Sequence, residues 1–324
     1  MGRRIFTREF KLEGVKLVQD RGVAVREVAR DLDVHENEGS IEMSAPMYLS
    51  NGQGIFQPTF PVHHEGEHYD EKGFKTLFEM QSRHFWYRGR HRFLMHSVAR
   101  NLPDRKGLCG IDLGGGCGGW LNFLFQQMPG RFEELALADS SLTALELAKT
   151  VIPKSTTRYQ IDLMDLHWEN RWDVAFLLDV IEHLPNDAGA LVQVCNALKP
   201  GGLLFVTTPA LQFFWTYNDD FAHHLRRYSK RDYAGLAEKA GLQLLDSRYF
   251  MFFLSPLLWL SRTLQRTSGL SEEERSKLAT KAHEVPTPIL NHALAATFAA
   301  ETPVGHWLPF PWGTSILGIF QKSL

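Results

Sequence analysis

The chain has 324 residues and a formal charge of −2, which leaves room for one large domain or two small ones and argues against a broadly nucleic-acid-binding surface. Hydrophobic residues make up 44% of it, enough for a sizeable core, and no apolar run reaches the ~18 residues needed to span a bilayer. Cys109, Cys117 and Cys195 form an odd set without metal-ligand spacing, so disulfides are not expected; with no signal-peptide pattern at the start, a reducing cytoplasmic setting is.

Residues 1–37 read as two helices. Thr7 can cap a helix to about Asp20, with Phe10, Val15 and Val18 facing inward, and Val25–Asp31 would form the second. The segment resembles the N-terminal helix-turn-helix of insertion-sequence transposases, where the next element is the recognition helix that enters the major groove. Here residues 38–54 follow, with neither helical periodicity nor basic residues, so the DNA-reading element is missing. A fused remnant or an over-extended start is expected, with Met43 or Met47 as first residue. A DNA-binding regulator is the rival reading from another class. Residues 38–65 read as a polar linker, and an enzyme domain is expected over 66–324.

From Tyr69 to Leu102 the chain reads helical, with Phe85, Trp86 and Tyr87 followed by Arg88, Arg90 and Arg92. Cys109–Leu113 is a short buried strand, and it runs into Gly114, Gly115, Gly116, Cys117 and Gly118. Asp112, Gly114, Gly116 and Gly118 make an Asp-x-Gly-x-Gly-x-Gly pattern. Glycines here permit positive φ and let a ligand lie against the backbone at the C-terminal end of a parallel strand. Cys117 within it reads as a small space-filler.

Leu135–Asp139 is a second strand ending in an acid, about 20 residues beyond the glycine turn, where a nucleotide ribose expects a carboxylate. Asp139 as a helix N-cap is the alternative. Tyr159–Met164 reads as a third strand; Asp162 in it can accept from an adenine amino group or sit in a surface turn, and Leu163 adjoins it. Trp172–Asp179 is a near-continuous apolar run, hence a fully buried strand. A helix is expected from about Asn186 to Leu198, ended by Pro200 and Gly201, and Leu203–Thr208 is the next buried strand.

The succession IDLGGGCGG (111–119), ALADSS (136–141), YQIDLMDLHW (159–168), WDVAFLLDVIEHL (172–184) and LKPGGLLFVTTP (198–209) resembles the class I S-adenosylmethionine-dependent methyltransferases, over about 69–324. A nicotinamide dehydrogenase would account for the glycine turn but not for DVIEHL followed by LKPGG. The resemblance implies an α/β, doubly wound, Rossmann-like sheet of seven strands in the order 3-2-1-4-5-7-6, the last antiparallel, under a helical cap. It implies S-adenosylmethionine as cofactor, held by Asp112, Gly114, Gly116, Gly118, Asp139, Asp162, Leu163 and Asp179. The lead-in resembles that of a bacterial small-molecule subgroup, with Phe85, Trp86 and Tyr87 over the site mouth or packed on the sheet. Arg90 best matches an arginine there that clamps the methionyl carboxylate, with Arg88 and Arg92 as close alternatives.

The same subgroup shows a His-x-Arg-Arg-Tyr run like His224–Tyr228. Such a loop follows a strand C-terminus and should line the acceptor pocket. His224 is the candidate catalytic base for an oxygen nucleophile, ahead of His183 and His223. Arg226, Arg227 and Tyr228 read as loop anchors, the arginines pairing with Asp219 or Asp220. Asp179, Glu182 and His183 are an alternative divalent-metal set by resemblance to ubiquinone-type O-methyltransferases; no metal is assigned. Tyr249–Leu260 is strongly apolar: a packed helix, a lid, a dimer face or an interfacial anchor. Residues 271–284 read as a charged helix and 287–301 as an apolar one, so 250–308 form a cap insertion. The expected activity is methyl transfer to a small-molecule acceptor, at oxygen, with no nucleic-acid partner. A lipid- or quinone-like acceptor at a membrane surface is the alternative.

Overall fold

The computed structural model describes residues 48–63, 71–263 and 284–324. Two compact units divide at residue 45, and the second, Pro46–Leu324, carries all the described elements. The helix-turn-helix expected over 1–37 and the charged helix expected near 271–284 lie outside the described residues, the latter all but Glu284.

Nine strands form one sheet in the order β1-β2-β5-β4-β3-β6-β7-β9-β8. These are β1 (Leu49–Ser50), β2 (Ile55–Gln57), β3 (Leu108–Leu113), β4 (Phe132–Asp139), β5 (Thr157–Gln160), β6 (Trp172–Leu178), β7 (Leu198–Pro209), β8 (Leu242–Phe250) and β9 (Ser315–Lys322). Strands β2 to β7 pair in parallel, while β9 runs antiparallel to both β7 and β8. The seven-strand expectation is corrected, and the order with it, because two strands precede β5. They come from the segment read as a linker. Ile55 is fully buried, and Arg158 of β5 donates to the Gln53 carbonyl (2.8 Å) and to Leu145 O (2.9 Å). Two apolar residues, Ile55 and Phe56, in a strand of three are too few for a period to register in the sequence.

Strand β5 ends at Gln160, short of the expected Met164. Asp162 lies beyond it, accepting from the backbone of His63 at 3.1 Å and Met164 at 2.9 Å. Strand β7 starts earlier than expected, at Leu198.

The central strands are buried on both faces, as their apolar runs require. On β6, Ala175 and Leu177 face one core and Val174, Phe176 and Leu178 the other. Against the first core pack α5 (Asp187–Ala197) and α7 (Lys230–Ala240). Asn186 caps α5 through Gly189 N, and Ser229 with Asp232 closes a capping box on α7.

Against the second core lie α2 (Phe85–Asn101), α3 (Gly119–Gln127), α4 (Leu142–Ala148) and α9 (Pro288–Trp307). Helix α1 (Glu71–Arg83) leads into α2. The close approach of α2 to α9 depends on Gly89, where any Cβ would collide with the Phe298 ring. Asn291 of α9 accepts from Phe85 N (2.8 Å) and donates to Arg83 O (2.9 Å), fastening the late cap to the start of α2. Helix α6 (Tyr217–Phe221) follows β7, and helix α8 (Ser255–Thr263) follows β8. The apolar run 249–260 therefore divides between the end of β8 and α8. Among the described residues no helix is long and apolar enough to cross a membrane.

Candidate active site

A cavity of about 800 Å³ opens over the C-terminal ends of β3, β4, β6 and β7, near the upper end of the ~300–1,000 Å³ usual for small-molecule sites. Its floor begins at the glycine turn. Gly114, Gly116 and Gly118 have φ of 70°, 56° and 78°, a region closed to most side chains. Gly114 N and Gly115 N donate to Ala138 O at 2.8 and 3.2 Å. Gln81 of α1 accepts from Gly119 N at 3.1 Å and lines the cavity; no sequence signal marked it. Gly118 does not line the cavity. A Cβ there would strike Ile152, so it serves the packing of α3.

Asp139 ends β4 as expected. Its carboxylate accepts from Gly116 N and from Ser141 N, each at 2.9 Å, and Ser141 is the N-cap of α4. Burial raises its pKa, partly offset by the backbone N–H groups of Ser141, Gly116 and Ser140. Asp112 is 1% exposed, and neither of its carboxylate oxygens has a partner. Burial pushes its pKa up to about 7, against the pull of Arg90 and with Asp139 adding to the rise. Leu163 lines the cavity beside Ile161, whereas Asp162 does not; both Asp162 oxygens serve backbone groups instead. Cys117 is buried and its thiol is pushed up to about 12 by that burial, in keeping with a space-filler.

Arg90 is 4% exposed and lines the cavity. Arg92 is exposed, and Arg88 lines a separate groove. Arg90 Nη1 pairs with Asp179 Oδ2, and the guanidinium lies over the Trp86 and Tyr87 rings at 4.9 and 5.0 Å. Phe85, Trp86 and Tyr87 all line the cavity. Asp179 has φ of 60°, a conformation Asp tolerates better than most residues, and Asp179 N donates to Thr207 O at 2.8 Å.

The far wall comes from the loops after β6 and β7. His224 lines the cavity and its Nδ1 is 2.9 Å from Asp219 Oδ1. Asp219 is 1% exposed and is gripped by Arg227 through Nε at 2.8 Å and Nη2 at 3.0 Å. Burial alone would raise the Asp219 pKa, but the His224 hydrogen bond and the Arg227 charge outweigh it and hold it low. The loop is pinned further: Leu225 N donates to Glu182 O at 2.8 Å, and the Tyr228 hydroxyl reaches Asp187 Oδ2 at 2.8 Å. Arg227 thus pairs with Asp219 as expected, but Arg226 pairs with Asp187 (2.9 Å), not with Asp219 or Asp220. His223 is exposed and does not line the cavity.

Glu182 is fully buried, and neither of its oxygens has a partner. Burial, with Asp179 beside it, raises its pKa well above the ordinary range. Glu182, His183 and His224 each bring one ligand atom within 4.8 Å of the others, so the set that converges contains His224 in place of Asp179.

A methyltransferase-domain family model matches residues 85–247, half of the chain. The chain belongs to this methyltransferase family. It is an enzyme that uses S-adenosylmethionine. A transposase model matches residues 1–38, in line with the helix-turn-helix pattern there. No curated protein sequence matches the chain.

Solved structures share the fold. The partner in the complex with the Haloferax volcanii Trm112 methyltransferase activator aligns with a TM-score of 0.50 at 15% identity, over 78% of this chain and 97% of its own. Haemonchus contortus phosphoethanolamine N-methyltransferase 2, solved with S-adenosyl-L-methionine, aligns with a TM-score of 0.51 at 16% identity, over 80% of this chain and 59% of its own.

The cavity of this methyltransferase fits the cofactor. The orphaned Asp112 carboxylate suits an ammonium, the glycine turn leaves its backbone open to a ligand, and Asp139 has lone pairs left for hydroxyls.

Proposed function

We propose that the chain methylates a hydroxyl oxygen of a small-molecule acceptor, with His224 as general base. The observation that carries this is the Asp219–His224 pair on the cavity wall. The Asp219 carboxylate accepts the Nδ1 proton of His224, which leaves Nε2 as the basic nitrogen; Arg227 keeps Asp219 ionised and in place. This is the orienter–base arrangement that proton abstraction needs.

S-adenosylmethionine supplies an electrophilic methyl on a sulfonium centre. Asp112, Gly114, Gly116, Asp139, Leu163 and Arg90 hold it on this reading. The protein's main task is alignment of acceptor, methyl and sulfur, and His224 takes the proton that the acceptor oxygen loses. Gly118 and Asp162 act from outside the cavity, by packing α3 and by fixing the 63 and 164 backbones. The test is a screen of phenols, sugars and amines with methyl-labelled S-adenosylmethionine. O-methyl products whose formation collapses in His224→Ala support the reading, and an N-methyl product overturns it.

A second reading is an acceptor taken from a bilayer surface. Leu257 and Leu260 of α8 are 57% and 49% exposed beside Phe213, which is 70% exposed and stacks on Trp259 at 5.2 Å, an apolar outer face of the kind that marks interaction sites. Failure to co-sediment with phosphatidylcholine–phosphatidylglycerol vesicles would remove it.

A further inference from the structure

The cavity lining has polar groups and apolar ones, and the two sets come from different parts of the chain. At the base of the acceptor side, Glu182 and Asn218 are 0% and 9% exposed, and both Glu182 oxygens and the Asn218 Oδ1 lack any partner. A buried polar group without a partner is costly to leave unpaired, and such groups call for an explanation. Glu182 and Asn218 both line the cavity, so a ligand can satisfy them. The Asn218 oxygen accepts, and the Glu182 carboxyl, with its pKa raised by burial, accepts and donates one O–H, so that ligand brings hydroxyls or N–H donors.

Another part of the lining is apolar. Met80, Phe85, Leu258, Val285, Pro286 and Leu294 form it, supplied by the lead-in helices and the late cap. Glu284, which is exposed, and His84 line the cavity beside these residues, and Glu79, Arg83, Arg88 and His292 line the adjoining groove. His84 is occupied as the N-cap of α2, its Nδ1 3.2 Å from Trp86 N. On the methyl-transfer reading the cofactor takes the glycine turn and Asp139, and the apolar lining of the late cap is left to the acceptor.

We infer that the acceptor is an amphipath. Its head carries at least two O–H or N–H donors and rests on Glu182 and Asn218, next to His224. Its apolar body runs along the wall made by α2, α8 and α9. This rests on the methyl-transfer reading of the same cavity and names the class of substrate for it.

The test uses the full chain saturated with S-adenosylhomocysteine. The probes are 1,2-alkanediols from butanediol to decanediol, against the same chains with methoxy groups in place of the hydroxyls. Calorimetry reads the affinity. Each added methylene should tighten binding about fourfold until the wall is covered, the equivalent of ~0.8 kcal/mol. The dimethoxy series should bind about tenfold more weakly. Leu294→Asn should flatten the chain-length dependence, and Glu182→Leu should weaken every diol by a similar factor without changing it.

Retained S-adenosylhomocysteine binding shows that each variant is folded. If Leu294→Asn loses it, Leu258→Asn on the other cap helix replaces it. Affinity that ignores chain length, a dependence unchanged by the wall variants, or no binding of any diol would overturn the inference. The readout needs no turnover, so a His224 that proved not to be the base would leave it standing.

Discussion

Arg90 Nη1 bonds to Asp179 Oδ2, so two side chains marked by the sequence as separate cofactor ligands hold one another. The Arg90 guanidinium lies over the Trp86 and Tyr87 rings, and its charge opposes the burial that raises the pKa of Glu182 and of Asp112. Removing the cation therefore affects more than one carboxylate. Arg90→Met is expected to weaken S-adenosylhomocysteine binding about tenfold or more, roughly the ~1.5–3 kcal/mol of a charged hydrogen bond. Arg90→Lys should fall between, because an ammonium cannot reproduce the guanidinium fork. Calorimetric titration of the three proteins checks the order.

Asp112 gives the free protein a pH signature. Its folded pKa of about 7 lies above the ordinary aspartate value of 3.8. The folded state then binds more protons than the unfolded state between those values, so this group's contribution to stability falls as pH rises from about 4 through about 7. Glu182 and Asp139 shift in the same direction, and His306, with its pKa lowered by burial to about 4, works in the opposite one. The difference between wild type and Asp112→Asn isolates the one residue. Asp112→Asn should gain stability relative to wild type as pH climbs through that window and hold a constant advantage above it. Denaturant melts at several pH values measure this; a difference independent of pH would rule it out. The same variant should bind S-adenosylhomocysteine less tightly.

The Asp219–His224 pair separates chemistry from folding. His224→Ala should leave S-adenosylhomocysteine affinity unchanged while turnover drops about 10²-fold or more, the usual contribution of a positioned base. Asp219→Asn should do worse on stability, because Arg227, still bonded to Ala210 O at 3.0 Å, is then left buried without its counter-charge, a loss of about 3–5 kcal/mol. Single-turnover rates beside denaturant melts tell the two effects apart.

Where the enzyme domain begins is open to a truncation series. A chain starting at Met43 keeps β1 and β2 and is expected to bind S-adenosylhomocysteine as the full chain does. A chain starting at residue 66 loses Ile55, whose full burial is worth about 2–3 kcal/mol alone, and the Phe56 ring beside Tyr159, 5.4 Å between centroids. It also exposes the edge of β5. That shorter chain should melt earlier or aggregate, and equal melting of the two would show β1 and β2 to be dispensable.

The sequence was legible where one strand ends in one chemical signal. Asp139 stands at the end of β4 because a continuous apolar run stops there, and the glycine turn needs three positive φ values that three glycines allow. The strand expected to run to Met164 stops at Gln160, two residues before Asp162, and the missing side chain of Gly118 makes room for Ile152. The reading passed over β1 and β2, whose five residues are too few to show a period.

The alternation and length of apolar runs, the glycine spacing and the acids at strand ends determined the doubly wound core and the cofactor's side of it, because these depend on neighbours along the chain. Tertiary structure decided which partner each buried charge found. Arg90 meets Asp179 across 89 residues, and Asn291 reaches Arg83 across 208. Burial and ion pairing act through space and carry no periodic mark. Local chemistry could therefore name Asp112 and Glu182, but only the packed chain shows their carboxylates shut away from every donor.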